Sequence, residues 1–337
     1  MLGGLNYAIL NTLIFLGEYH ESSKKHHFVP KSYLRFFAQE KNQDKYQIYV
    51  FDKQLNKEFI CNINDIAEKY NYNRIDKKDY IIPTPDGNPL YYEEKYRTVI
   101  EGQIPRIIRN ISSMCTLNPN KYKFSILDEF IKYDLAKMII VQLLRTPQSR
   151  KQTYTLGKSI HDEMTEHFKK CTNFIPNSNK KKQIKKFLDN FKYSESFSDS
   201  VHLKTTMDDE KIEKYIKSLI QNHIWIMYEN HNYPYLQFVT SDHPVVMFNF
   251  SSRKLGLGNN ALENPNTIIS MPLSPRFEVT LYHKSLYFLE CIADGCFPIT
   301  ERDYMFKQNK LQYLHCDRQI YTRPDSRNLL VDLQLLS

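Results

Sequence analysis

Helical and strand periodicities occupy different stretches of this chain, and that segregation most restricts what it can fold into. Between residues 91 and 228 apolar side chains recur every three to four positions. Tyr92, Tyr96, Val99, Ile100, Ile104, Ile107, Ile108 and Ile111 mark one helix over 91–111, which Pro105 should kink. Leu127, Phe130, Ile131, Leu135, Met138, Ile139, Val141 and Leu143 mark a second over 125–145, broad enough in its apolar surface to be a central core element. A polar helix follows at 149–171, then a polar linker at 194–206. The last helix of this region runs from an Asp208 or Asp209 cap to about 228. From there strand patterns take over at 236–240, 245–250, 267–271, 277–283 and 318–322, with one helix at 300–316 before the last. Sequential βαβ alternation is absent, which argues against a doubly wound sheet. The expectation is an α+β fold: a helical middle region packed on a mainly antiparallel sheet from the C-terminal third, plus an early hairpin at 47–52 and 57–63. Residues 1–23 read as an N-terminal helical extension and 24–337 as one domain.

Chemistry concentrates in KKHHFVPKSYLRFFA at 24–38. Imidazole titrates nearest neutrality and is the commonest transition-metal ligand, so His26 and His27 are candidates for acid-base or metal work. Pro30 biases Val29 towards extended backbone. In an extended segment neighbouring side chains point to opposite faces, so the two histidines cannot do the same job. Ser32 to Gln39 reads as a short helix or turn anchoring the segment, and 64–73 as another short helix. The His-His pair before an apolar residue and Pro looks like the first strand of the ββα-metal (HNH) nuclease motif. Asn62, Asn64, Asn71 and Asn73 are available for its Asn, but no His lies between His27 and His161, so the likeness covers only the first third of that motif.

The second constellation is Thr240-Ser241-Asp242-His243-Pro244, at the end of an apolar strand. Ser, Asp and His in succession cannot form a nucleophilic triad with one another. Asp242 either ligates a metal or orients His26 or His27, or it closes an Asx-type turn before Pro244. Arg145 ends the 125–145 helix, where a cation suits the helix dipole; its fork also suits phosphate or carboxylate. Glu101, beside the expected kink, is either a metal ligand or an ordinary salt-bridged helix residue.

Across the whole chain, HHFVPKSYLRFFA, the IYVFDK strand, Glu101 within a helix, LLRTP, FVTSDHPV, MPLSPR and Asn309 before a final strand occur in an order that resembles an uncharacterised, mostly bacterial domain-of-unknown-function family (DUF4238-like). The resemblance spans Lys24 to about Thr322. It implies the domain and carries no established activity.

The charge balance, 46 Lys plus Arg against 38 Asp plus Glu, gives a net charge of +8 and favours phosphate-rich partners. Lys180, Lys181, Lys182, Lys185 and Lys186 crowd one stretch, without the interleaved aromatics of a single-strand binding groove. Six scattered cysteines with no C-x-x-C pair point to reduced thiols in the cytoplasm and away from structural zinc. No segment has the apolar length of a membrane span, and the short apolar run at 8–16 reads as packing on the body or on another subunit.

These features lead to an expected cytoplasmic, metal-dependent phosphodiester hydrolase, a nuclease in a bacterial defence or toxin setting. In it His26, His27 and Asp242 are catalytic; His27, Asp242 and Glu101 hold a divalent ion (Mg, Mn or Zn); and Arg145, Lys24 and Lys25 bind phosphate. The alternative is a non-enzymatic effector module that binds nucleic acid or protein.

Overall fold

A computed structural model describes residues 25–43, 45–75, 84–117, 125–190, 192–250 and 262–326. The expected N-terminal extension and Lys24 lie outside these residues.

The histidine segment begins as β1 (Lys25–His27), followed by Pro30 and α1 (Lys31–Leu34), which continues into a 3₁₀ turn at Arg35–Phe37. β2 (Gln39–Asn42) and the expected hairpin of β3 (Lys45–Asp52) and β4 (Lys57–Asn62) come next. Asn56 closes the hairpin with a φ of 48°, a left-handed conformation that Asn tolerates better than most residues. The stretch expected to be helical at 64–73 is instead a 3₁₀ turn, Ile63–Asp65, and β5 (Glu68–Tyr70), which pairs antiparallel with β1. That pairing, rather than the hairpin, fixes the histidines. Ala67 bends the chain into β5 with a φ of 53°, and its carbonyl accepts from Phe28 N at 2.9 Å.

The 91–111 helix is divided into α2 (Tyr91–Tyr96), a π-helical turn at Arg97–Glu101, and α3 (Ile104–Leu117). Pro105 therefore sits in the first turn of a new helix, where its missing N–H costs nothing, and the irregularity precedes it at Glu101. In α4 (Glu129–Leu144), Asp128 caps the N-terminus and residues 138–142 are buried in succession, so the C-terminal part of the helix is enclosed on all sides while its first turns, with Phe130, face outward. Each buried Leu or Ile here contributes roughly 1.5–3 kcal/mol. α5 (Pro147–Cys171) starts three residues later, capped by Thr146 with Pro147 in the first turn. α6 (Ser178–Asn190) carries the lysine run and has no buried residue.

Two boundaries differ from the sequence expectation. The polar stretch 194–206 is a helix, α7 (Glu195–Thr206), with a Ser194 cap and Ser198, Ser200, His202, Leu203 and Thr206 buried. Polar residues hid a packed face because the Ser200 and Thr206 hydroxyls are satisfied by carbonyls of their own helix and the His202 imidazole by Thr153 and the Leu144 carbonyl. The last helix stops early: α8 (Asp209–Asn222) gives way to β6 (His223–Asn230), whose residues 223–227 are all buried. A fully buried strand has no alternation, so its apolar run continued the helical spacing.

β7 (Thr240–Ser241), β8 (Val246–Asn249), β9 (Thr267–Pro272), β10 (Phe277–His283), β11 (Cys296–Ile299), α9 (Arg302–His315) and β12 (Gln319–Thr322) complete the chain. β11 has no counterpart in the sequence reading. It pairs parallel with β6 in a sheet of order β11-β6-β10-β9-β8, whose other pairings are antiparallel. A second sheet runs β2-β3-β12-β7 with β4 on β3, so the early hairpin joins the C-terminal strand. The fold is α+β, with α4 and α8 packed against each other and the main core lying between the helices and the β6 sheet. A smaller core of Tyr49, Phe51, Leu236, Phe238, Ile299, Met305 and Ile320 lies under α9. No described helix is long and apolar enough to cross a membrane.

Candidate functional site

The last turn of α4 grips the histidine strand by its backbone. Gln142 Nε2 donates to the carbonyl of Phe28 at 3.0 Å, and Arg145 Nη2 donates to the carbonyl of His27. Arg145 is 1% exposed, lies 4.4 Å from the Tyr96 ring centroid, and forms an ion pair with Glu101 at 2.9 Å. Capping of the α4 C-terminus is thus not what occupies its guanidinium. Glu101 reaches it from the π turn, whose backbone is pinned by Ser32 Oγ donating to the Glu101 carbonyl at 2.9 Å.

As strand alternation requires, the two histidines have different neighbours. His26 is fully buried, and its Nδ1 accepts from the backbone N–H of Asn73 at 2.9 Å. In the neutral ring the proton then belongs on Nε2, which is buried and has no hydrogen-bond partner among the described residues. Burial, then the nearby cations of Arg150, Arg74 and Arg145, presses the His26 pKa down to about 4. His26 is therefore a neutral donor at neutral pH, with its one basic lone pair already used.

His27 faces Glu68, its register partner across β1 and β5. Burial and Lys31 lower its pKa, while Glu68 and Glu101 oppose them. Its Nε2 is buried without a hydrogen-bond partner, as is Glu68 Oε2. Glu68 Oε1 pairs with Lys25 at 2.7 Å, so Lys25 is placed on the rim of the His27 side.

The His26 side is completed by residues that the sequence reading did not assign to the site. Asn73 Nδ2 donates to Glu93 at 2.7 Å and its Oδ1 accepts from Arg150 Nη2 at 2.7 Å. Arg150 also donates to the carbonyl of Tyr72 at 2.6 Å and stacks 3.5 Å from that ring's centroid. Burial raises the pKa of Glu93 against the pull of Asn73 and Arg145. Behind this layer His202 of α7 accepts from Thr153 at Nδ1 and donates from Nε2 to the carbonyl of Leu144, tying α5 and α7 to the end of α4. Arg150 was legible only as a second arginine five positions after Arg145, across the Thr-Pro step. Asn73 was visible only as one of several asparagines.

Asp242 belongs to a different structure. Its Oδ1 accepts from Asp317 N at 2.8 Å, and its Oδ2 accepts from Arg318 N at 2.7 Å and Gln319 N at 2.8 Å. It clamps the start of β12 onto β7. The neighbouring groups are also occupied: Ser241 donates to Gln312 at 2.8 Å, and His243 Nδ1 pairs with Thr146 Oγ1 at 2.7 Å. Of the three residues expected to share a divalent ion, Glu101 is committed to Arg145 and Asp242 to these backbone donors. Among the described residues no three His, Cys, Asp or Glu side chains are grouped as metal ligands. The structure therefore brings together His26, His27, Arg145 and Glu101, with Lys25 at the edge, and does not bring Asp242 to them.

No curated protein and no solved structure matches the chain. The profile of one family matches residues 25–326, which includes the histidine strand, the α4–α5 turn and the Asp242 clamp, and the chain accordingly belongs to the family described as protein of unknown function DUF4238.

Proposed function

We propose that the chain is a phosphodiester hydrolase acting on nucleic acid, with the phosphate held in the His26–His27–Arg145–Arg150 cluster. One observation carries this reading. His26 Nε2, His27 Nε2, Arg145 Nε and Nη1, and Arg150 Nε are all buried and have no hydrogen-bond partner among the described residues. A buried donor left unmade costs about 1–3 kcal/mol, more when charged, so His26 Nε2, Arg145 Nε and Nη1 and Arg150 Nε are expensive unless something negative satisfies them, whereas His27, on the other side of the strand, is left to act as an acceptor. A phosphoryl group supplies several acceptor oxygens and matches the planar arginine fork.

The residues divide the work by their protonation. His26 Nε2–H and the two guanidinium groups donate to the phosphoryl oxygens and stabilise the charge that builds on them. His27, kept neutral and flanked by Glu68 and Glu101, accepts the proton of the attacking water as general base. A divalent ion on the His27 side would have to take Glu101 from its pair with Arg145, so the ion is assigned no step and is left to the metal arms of the test. The net charge of +8 and the exposed lysines of α6 favour a polyanionic substrate.

The test pairs catalysis with anion binding. Single- and double-stranded DNA and RNA are offered to the wild type and to His27→Ala and Arg145→Lys, each with chelator and with Mg²⁺, Mn²⁺ or Zn²⁺. Thermal unfolding is followed against inorganic phosphate. Cleavage should fall at least 100-fold in both variants, the order expected for loss of a general base. Phosphate should stabilise the wild type, by about 2.7 kcal/mol at 100 times its dissociation constant, and Arg145→Lys much less. No cleavage together with no stabilisation by phosphate would make these groups structural and leave a protein-binding module as the better reading.

A further inference from the structure

Beyond its first turn α5 carries its side chains into solvent. The helix is roughly 37 Å long, yet its two buried residues, Pro147 and Arg150, lie at its start, and α6 buries none. Leu156, Ile160, Met164 and Phe168, four residues apart, form a half-exposed apolar stripe along it. The stripe ends in a groove of about 400 Å³ between the two helices, lined by Phe168, Cys171, Ile175, Ile184, Phe187 and Leu188. Phe174, in the turn that joins the helices, is 86% exposed. Single exposed apolar residues are ordinary on a surface, but a continuous strip of them marks an interaction site.

The charge around the strip selects what covers it. Between residues 169 and 190 there are seven lysines and one aspartate, so this stretch holds +6 of the chain's +8. Lys169 pairs with Asp189 at 2.6 Å and Lys170 with Glu166 at 2.6 Å, whereas Lys180, Lys181, Lys182, Lys185 and Lys186 have no ion-pair partner among the described residues. With about 3.6 residues per turn, Ile184, Phe187 and Leu188 take one side of α6 and Lys181, Lys182, Lys185 and Lys186 the other. A basic helix of this pattern lies in the headgroup plane of a membrane, its rings reaching the acyl boundary and its ammonium groups the lipid phosphates. Lysine clusters of this size on such a helix favour anionic lipid. The same charge disfavours a second copy, since an isologous contact through this edge sets lysines against lysines. Nucleic acid would meet the lysines and leave the apolar strip uncovered.

We infer that the α5–α6 hairpin is a peripheral docking surface for anionic membrane lipid, with Phe168, Phe174 and Phe187 entering the interface and the lysines of α6 engaging the headgroups. The hairpin lies on the bilayer and does not cross it, in keeping with the length and polarity of the described helices. The buried histidine cluster takes no part, so the hairpin's role stands or falls apart from hydrolysis.

The experiment is flotation of the full chain with vesicles of phosphatidylcholine alone or mixed with an equal part of phosphatidylglycerol, at low and high salt, beside a titration with a fluorescent single-stranded oligonucleotide. The wild type should float with the anionic vesicles, stay behind with the neutral ones, and lose binding as salt screens the lysines. Each lysine at an anionic surface strengthens binding about fivefold, so Lys181→Gln combined with Lys185→Gln should weaken partition about 25-fold. Phe174→Ser should weaken it about tenfold or more. Both variants should keep the wild-type urea midpoint, because none of the three side chains is buried. No flotation with anionic vesicles, equal flotation with neutral ones, or flotation indifferent to Phe174→Ser overturns the docking surface. So does oligonucleotide binding that falls with the lysines while vesicle binding does not, a result that gives the hairpin to nucleic acid.

Discussion

The HHFVP and TSDHP segments look alike as sequences, each combining histidine with proline and charged or polar neighbours, yet the fold treats them in opposite ways. Around Asp242 every strong acceptor is filled: three backbone N–H groups of 317–319 converge on one carboxylate. Around His26, His27 and Arg145 the backbone is just as firmly held, by Gln142 and Arg145, and His26 Nδ1 is taken by Asn73 N–H, but the side-chain donors are left over. A satisfied carboxylate contributes to stability and offers nothing to a ligand. Unsatisfied buried donors lower stability and keep binding capacity, which is the trade expected of a functional site.

The largest effect should come from breaking the satisfied side. Asp242→Ala leaves three partly buried backbone donors at the start of β12 without their acceptor, while the β7–β12 backbone pairing remains, at a cost of about 3 kcal/mol. Urea unfolding should show a clearly lower midpoint, and phosphate should still stabilise the folded variant. If instead Asp242→Ala keeps its midpoint and loses the response to phosphate, Asp242 belongs with the histidines and the contrast between the two segments collapses.

A smaller effect separates the two sides by pH. His26, His202, His223, His243 and His315 are all pressed down to about 4 by burial, from an ordinary value of 6.5. Below pH 6.5 the unfolded chain binds protons that the folded chain refuses, so stability is lost as pH falls from 6.5 towards 4. Each group accounts for up to about 3 kcal/mol over that range. Asp242, pushed up to about 6, and Glu278, pushed up to about 8, run the other way, because their folded forms hold a proton that the unfolded forms release. Five histidines outweigh two carboxyls, and cooperative acid unfolding is expected above pH 4. His26→Asn, whose amide oxygen replaces Nδ1 opposite Asn73 N, should flatten the stability profile between pH 6.5 and 4 and leave the remaining histidines to set the acid limit. An unchanged profile would mean that His26 is protonated in the folded state, and its assignment as a neutral donor would be lost.

Which parts of this were legible from sequence follows from the same physics. The α+β class, the hairpin and the 277–283 strand came from periodicity, which is a local property. The site was half legible. His26, His27 and Arg145 announce themselves as residue types, and strand alternation told the two histidines apart. The contributions of Asn73, Glu93 and Arg150 depend on β5 pairing with β1 and on α5 folding back from the Thr-Pro step, contacts of 47 to 77 residues' separation that no local pattern encodes. Asp242 shows the converse. Its type and setting suit a ligand, and only the arrival of β12 from 75 residues away decides that backbone N–H groups take it. β6 was missed because complete burial removes the alternation by which strands are recognised, and α7 because its inward face is polar.

The finest test of the contrast lies at its edge, at Lys25. Its ammonium pairs with Glu68 at 2.7 Å, but the side chain is 55% exposed, and exposed pairs contribute little to stability because water and salt compete for both partners. Lys25→Ala should therefore leave the urea midpoint unchanged. Its effect belongs to the ligand: removing the cation beside Glu68 leaves that carboxylate's negative field nearer to His27, which repels a phosphate and raises the His27 pKa. The pH dependence of phosphate binding should then shift upward, with weaker binding at neutral pH and low salt, and the difference should shrink as salt screens the charge. A shift in midpoint without a change in the binding profile would place Lys25 with the structural pairs, and the boundary of the unsatisfied cluster would be drawn inside β1, at His27.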